Sequence, residues 1–152
     1  MLTHEALKRD VARRIERLQA MMKEQDLGAL LIVGQAQPGG IGAIRYITHA
    51  HIWGGAAYAV LGAGDPHPWL TVWSSYQSMW SRNETTTLPE RVESPNNIVA
   101  RTTDLAKEYA SSSKRIGMVN MNKLMSVGEY QKFSKALEGY EMVEVTAAFD
   151  AI

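Results

Sequence analysis

With 152 residues, 45% of them apolar and 21% charged, the chain has the length of one domain and enough apolar side chain to fill a core. Lys plus Arg equals Asp plus Glu at 16 each, so the formal net charge is zero and no basic field exists to hold a phosphate backbone, which argues against nucleic acid as a partner. Cysteine is absent, which excludes disulfides, thiolate nucleophiles and Cys-ligated metal sites.

Residues 4–25 predict a helix. Leu7, Val11, Ile15, Leu18 and Met22 share one face, and Thr3 is placed to cap the start. The segment is charged and mixed, so it is neither a signal peptide nor a membrane span, and a cytoplasmic protein is the expectation. Gly28 is available for the left-handed turn that ends the helix. Residues 29–33 form a continuous apolar run bounded by glycine, as in a strand buried on both faces. A glycine-rich loop, 34–42, leads to Ile44–Thr48, expected to be extended or mixed. Residues 56–61 and 69–73 predict two strands, and the turn chemistry of 62–66 makes them an antiparallel hairpin.

Ser74–Arg82 predicts a short helix. Residues 83–97 are polar, with one short strand near Val92, and the sequon Asn83-Glu84-Thr85 is taken as chance. Ile98–Tyr109 predicts a second long helix, 111–113 a loop, and Arg115–Val119 a strand. Ser126 and Glu129 match a capping box, followed by Tyr130, Phe133 and Leu137 on one face and Gly139 at the end. Residues 141–145 alternate as a half-buried strand. Thr146 is expected to cap a last helix that begins at Ala147. So short a helix is unstable alone, and the expectation is that the natural chain continues. The order of elements predicts an α/β domain on a mixed sheet.

Few residues point to chemistry. The glycine loop lacks both the dinucleotide fingerprint and the P-loop Lys-Ser/Thr, and is expected to be a turn. His49 and His51, two apart, would share one side of a strand and could offer two metal ligands, but no third is indicated. His4 and His67 carry no spacing signal. No Gly-x-Ser-x-Gly elbow is present. Trp53, Trp69, Trp73 and Trp80 lie close in sequence; Trp69 and Trp73 are expected in the core, and Trp53, in a loop beside Gly54 and Gly55, is a contact candidate. Met21, Met22 and Met79 are expected as core or interface filler.

Taken in order, Arg14 to Met22, Leu27 to Ile32, Ile44-Arg45-Tyr46-Ile47-Thr48, Arg115-Ile116-Gly117-Met118-Val119 and Val143 to Phe149 resemble the N-terminal domain of the creatinase/prolidase/aminopeptidase P family. His49 stands where the family commonly has glycine, and Asn120 where it often has glutamate. The resemblance implies a ribonuclease H-like fold, a mixed sheet flanked by helices, over residues 1–146. Residues 147–152 would begin a linker helix to an absent catalytic domain. It implies no cofactor in this chain, with two divalent metals (Mn, Zn or Co) held by the catalytic domain, so the chain by itself should be inactive. The implied role is an accessory domain of an Xaa-Pro dipeptidase, aminopeptidase or creatinase-like hydrolase. It would serve homodimer formation and wall the neighbouring subunit's pocket for a small peptide or amide. The alternative is an inactive binding or scaffold module. By position, His49, His51, Trp53 and Trp80 are the pocket or interface candidates, and no residue is assigned as catalytic.

Overall fold

The computed structural model describes residues 3–84 and 89–152. The elements are α1 (His4–Glu24), β1 (Ala29–Gln35), α2 (Gly42–Thr48), β2 (Ala56–Gly62), β3 (Trp69–Val72), α3 (Ser75–Glu84), β4 (Val92–Glu93), α4 (Ile98–Tyr109), β5 (Arg115–Val119), α5 (Met121–Leu124), α6 (Val127–Ala136), β6 (Glu141–Glu144) and α7 (Thr146–Asp150). Residues 85–88, and with them part of the polar segment and Thr85 of the sequon, lie outside the described residues.

The strands form one six-stranded sheet in the order β4-β3-β2-β1-β5-β6. β2 is antiparallel to β1 and β3, whereas β1 with β5, β3 with β4 and β5 with β6 run parallel. β2 alone therefore runs against the rest. The C-terminal ends of five strands and the N-terminal end of β2 lie along one edge of the sheet. Loops and short helices gather there.

Successive side chains of a strand face opposite sides, and β1 shows this directly. Leu30 and Ile32 enter a core with Val11, Ile15, Leu18 and Met22 of α1 and Ile44 and Ile47 of α2. Leu31 and Val33 enter a second core with Leu105 of α4, Met118 of β5 and Phe133 of α6. The continuous apolar run of β1 thus reflects burial on both faces of the central strand. α1 and α2 cover one face, α4 and α6 the other.

Several local signals form as the sequence indicates. The Thr3 hydroxyl accepts from the Ala6 amide at 3.2 Å. Ser126 and Glu129 make both bonds of the capping box, at 3.2 and 2.9 Å. Gly139 is left-handed, with φ 86°. Met21 and Met22 are buried in the α1 core.

Five expectations change. Ile44–Thr48 is helical rather than extended. Its Ile44, Ile47 and Thr48 fall at helical spacing onto the core, and burial of that face overrides the strand preference of β-branched residues. The Thr48 hydroxyl also donates back to the Ile44 carbonyl at 2.7 Å. The left-handed residue after α1 is Asp26, with φ 54°, not Gly28. Gly28 is required for another reason: a Cβ there would lie 2.6 Å from the Ala110 Cα and 2.9 Å from the Tyr109 carbonyl oxygen. Tyr130 is exposed, and only Phe133 and Leu137 of its predicted face are buried. Trp73 is exposed rather than in the core, whereas Trp69 is half-buried and packs against the second core. Finally, Thr146 lies inside α7, where its hydroxyl accepts from the Asn120 amide at 2.8 Å and ties β5 to α7.

Candidate functional site: an aromatic corner at the sheet edge

The loop from His49 to Gly55 crosses the edge where β1 ends and β2 begins. His49 closes α2. Its amide donates to the Arg45 carbonyl at 2.8 Å, and its backbone is left-handed, with φ 61°. A glycine takes this conformation without the Cβ conflict that costs other residues about 1–2 kcal/mol. The physical need at this position is thus the one met by the glycine common in the family. Burial, then the Arg45 and Arg14 guanidiniums, push the His49 imidazole below its ordinary pKa, opposed by the Asp10 carboxylate. A depressed value means that stability is full above the ordinary histidine pKa and is lost as pH falls through the folded value. His49→Gly is expected to raise stability by roughly 0.5–1 kcal/mol at neutral pH and to flatten the loss below about pH 6.5. Thermal melts of both proteins across that range check it.

His49 does not meet the other candidates, but the remaining three converge. The His51 and Trp53 rings lie 5.8 Å apart at 85°, His51 and Trp80 6.1 Å apart at 70°, and Trp53 and Trp80 4.8 Å apart at 82°. Each ring plane is thus close to perpendicular to the other two. His51 is exposed, Trp53 is 65% exposed and Trp80 is half-buried. Beside them a cleft of about 320 Å³ is lined by Gln37, Pro38, Gly39, His51, Ile52 and Trp53. The glycine loop, expected to be a turn, forms one wall of that cleft.

Gln77 of α3, which sequence reasoning passed over, builds this corner. It is only 3% exposed. Its Oε1 accepts from the Trp53 amide at 2.9 Å, and its Nε2 donates to the His51 carbonyl at 3.1 Å and to the Ser81 hydroxyl at 2.8 Å. The Ser74 hydroxyl accepts from the Gln77 amide at 3.1 Å. One buried amide therefore satisfies the backbone of both ring-bearing loop residues, and Trp80 stands one turn away on the same helix. Gln77→Ala would leave a buried N–H and C=O unpaired at about 1–3 kcal/mol each, reduced where water can enter. The expected loss is about 2 kcal/mol, with faster hydrogen exchange at the Trp53 amide as its local readout.

A wider apolar surface extends the corner. Trp73, Tyr76 and Met79 are 57%, 73% and 54% exposed. The Trp73 ring lies on Gly55, where a Cβ would come within 2.5 Å of it, and the φ of 68° at Gly55 also favours glycine. The signal for this surface was in the sequence: no Asp, Glu, Lys or Arg occurs between Asp65 and Arg82. Depletion of charge with enrichment in Trp, Tyr and Met marks the centre of an interface rather than an ordinary surface.

The His49–His51 metal pair has no support in geometry, since the two residues lie on a helix cap and a loop rather than on one strand. Among the described residues no group of three or more His, Asp or Glu side chains could hold an ion. Also among the described residues, no helix is long and apolar enough to cross a membrane.

Comparison with known proteins supplies the remaining observations. No curated protein matches the chain by sequence. Among solved structures, it is similar to the aminopeptidase P (Xaa-Pro aminopeptidase) from Streptococcus thermophilus, with a TM-score of 0.66 and 20% identity over 93% of this chain and 96% of that one. The N-terminal domain of a cytoplasmic peptidase from Mycobacterium tuberculosis H37Rv matches with a TM-score of 0.63 and 16% identity, over 91% of this chain and 97% of that one. The prolidase from Pyrococcus horikoshii OT3 matches with a TM-score of 0.63 and 14% identity over 90% of this chain, which spans only 33% of that one. These likenesses show a shared fold, the six-stranded mixed sheet flanked by helices. The family model for the creatinase/prolidase N-terminal domain matches residues 14–152, and the chain belongs to that family.

Proposed function

We propose that this domain is the non-catalytic N-terminal part of a metallopeptidase-like hydrolase that cleaves an Xaa-Pro peptide or a related small amide in the cytoplasm. Residues 147–152 begin the connection to a catalytic domain that holds two divalent metals. The chain acts in a homodimer, where the edge bearing His51, Trp53 and Trp80 walls the neighbouring subunit's pocket. The observation that carries this reading is the family match over residues 14–152 together with the uncharged aromatic surface at that edge. Such a surface contributes substrate positioning and exclusion of water, and leaves bond chemistry to groups elsewhere.

The test is hydrolysis of Xaa-Pro dipeptides with Mn²⁺ by the product of the uninterrupted gene. Activity is expected there and not in the 152-residue chain. In the active protein, Trp53→Ala is expected to raise KM several-fold with kcat nearly unchanged, the signature of lost ground-state binding. A gene product that continues without a set of metal ligands would replace this reading with that of a binding or scaffold module.

A further inference from the structure

A second crevice adjoins the first at Gly39, which borders both. β1 and β5 are parallel neighbours, so their C-terminal ends lie side by side. The chain leaves them in opposite directions. After β1 it enters α2, whose Ile44 and Ile47 lie in the core on one face of the sheet. After β5 it enters α5, whose Met121 and Leu124 pack against the core on the other face. Connections that diverge in this way open a crevice beyond the strand ends, a common seat of ligands in open α/β sheets. Here the space is about 380 Å³, bounded by Gly42 and Ala43 of α2, Lys123 and Leu124 of α5, and Phe149 and Asp150 of α7. Small-molecule sites begin at about 300 Å³.

The polar groups of this crevice carry opposite charges. Lys123 Nζ and Asp150 Oδ2 are 3.7 Å apart, longer than a hydrogen bond, and each side chain is 58% exposed. Among the described residues neither side chain has another ion-pair or hydrogen-bond partner. The Asn120 carboxamide, at the end of β5, lines the same crevice and has no hydrogen-bond partner among the described residues either. An exposed pair at this distance contributes little by itself, so both charges remain available to a ligand. A simple anion would meet the Asp150 carboxylate beside Lys123, and a simple cation the reverse. A ligand whose two charges lie close together satisfies each. An α-amino acid carries ammonium and carboxylate on one carbon, whereas a dipeptide holds its termini a peptide unit apart. Ala43, Leu124 and Phe149 supply apolar walls on which an aliphatic side chain is taken out of water.

We propose that the crevice between α2, α5 and α7 binds a free α-amino acid with an aliphatic side chain, Lys123 holding its carboxylate and Asp150 its ammonium. The site needs neither a catalytic domain nor a second copy of the chain.

The test is an NMR titration of the 152-residue protein with L-leucine at constant pH and ionic strength. 3-Methylbutylamine, which lacks the carboxylate, and 4-methylpentanoate, which lacks the ammonium, are titrated in parallel. The backbone amide signals of Gly42, Asn120, Lys123 and Asp150 are expected to shift saturably with leucine, which binds at least about fivefold more tightly than either analogue. Lys123→Gln is expected to weaken leucine about fivefold and to leave the amine no weaker. Asp150→Asn is expected to weaken leucine by about the same factor and to leave 4-methylpentanoate no weaker. Tyr130→Ala, on the exposed face of α6, is expected to bind leucine as the wild type does. Far-ultraviolet circular dichroism melts confirm that each variant is folded, and the two charge variants test the site separately should one of them unfold. Leucine binding no tighter than that of its analogues, no shift at the crevice, or undiminished binding by a folded charge variant would overturn the proposal. Hydrolysis of peptides by the longer gene product bears on none of these outcomes, so failure of the site and failure of the enzyme reading are separable.

Discussion

Gly28→Ala is expected to lower the unfolding free energy by about 3 kcal/mol, or to prevent folding, because overpacking against backbone cannot be relieved by a rotamer change. The added methyl would sit 2.6 Å from the Ala110 Cα, 2.7 Å from the Ser113 Oγ and 2.9 Å from the Tyr109 carbonyl oxygen. Retreat is blocked on both sides of the turn. The Gly28 amide donates to the Arg115 carbonyl at 3.0 Å, and its own carbonyl accepts from the Ala63 amide at 3.0 Å, so the residue is pinned between the ends of β5 and β2. Separating the α4 terminus from β1 would also disturb the Leu31–Leu105–Phe133 core. Urea denaturation should show a lower midpoint, and an unchanged midpoint would refute the close approach. Asp26→Gly, which relieves a left-handed φ of 54° two residues earlier, should not reproduce the loss.

Asp65→Ala is expected to cost about 3 kcal/mol at neutral pH, since hydrogen bonds to a charged group contribute about 1.5–3 kcal/mol each before solvent access reduces them. Asp65 lies in the β2–β3 turn and gathers three donors: the Tyr109 hydroxyl at 2.7 Å, the Arg91 guanidinium at 2.7 Å and the His67 amide at 3.0 Å. The Arg91 guanidinium also donates to the His67 carbonyl at 2.7 Å and lies 4.9 Å from the centre of the Trp69 ring. Trp69 Nε1 donates to the Tyr109 hydroxyl at 3.3 Å. This cluster ties the hairpin to the C-terminal end of α4, on the far side of the sheet from the aromatic corner. Burial by itself would raise the Asp65 carboxyl, but the bonds from Tyr109, Arg91 and His67 outweigh it and hold the group below its ordinary value.

The sign follows from that depression. The contribution is complete above the ordinary carboxylate pKa of about 4 and disappears as pH falls through the lower folded value. The difference in stability between wild type and Asp65→Ala should therefore be constant near neutrality and shrink in acid. Glu129 is held low in the same direction, because the Ser126 amide and the Tyr58 hydroxyl outweigh its burial, so Asp65→Ala itself keeps a residual acid slope. Chemical denaturation at a series of pH values checks both points, and a difference independent of pH would assign the loss to packing instead.

The helices α1, α4 and α6, the strands β1, β2, β5 and β6 and the mixed α/β class were legible because each rests on a local rule. An apolar face at helical spacing, a capping box and a bounded apolar run depend on neighbours in the chain. α2 was not legible, since Ile44, Ile47 and Thr48 suit a strand by preference and turn helical only when α1 and β1 bury one side of them. Of the candidate residues, Trp53, His51 and Trp80 came together through the fold, but His49 did not. The sequence distance between loop 49–55 and α3 hid the Gln77 bridge that unites them.

Composition and spacing alone carried the α/β class and the two-sided central strand, because alternation and continuity of apolar residues are set by the pleat and the pitch of the backbone. The order of its motifs also carried the family. The tertiary structure decided which glycine is a turn and which a point of contact, and which tryptophans are exposed. It also decided that three rings from two separated segments come into edge contact. Those properties depend on what crosses a given residue in space, and no local pattern encodes the approach of a segment tens of positions away.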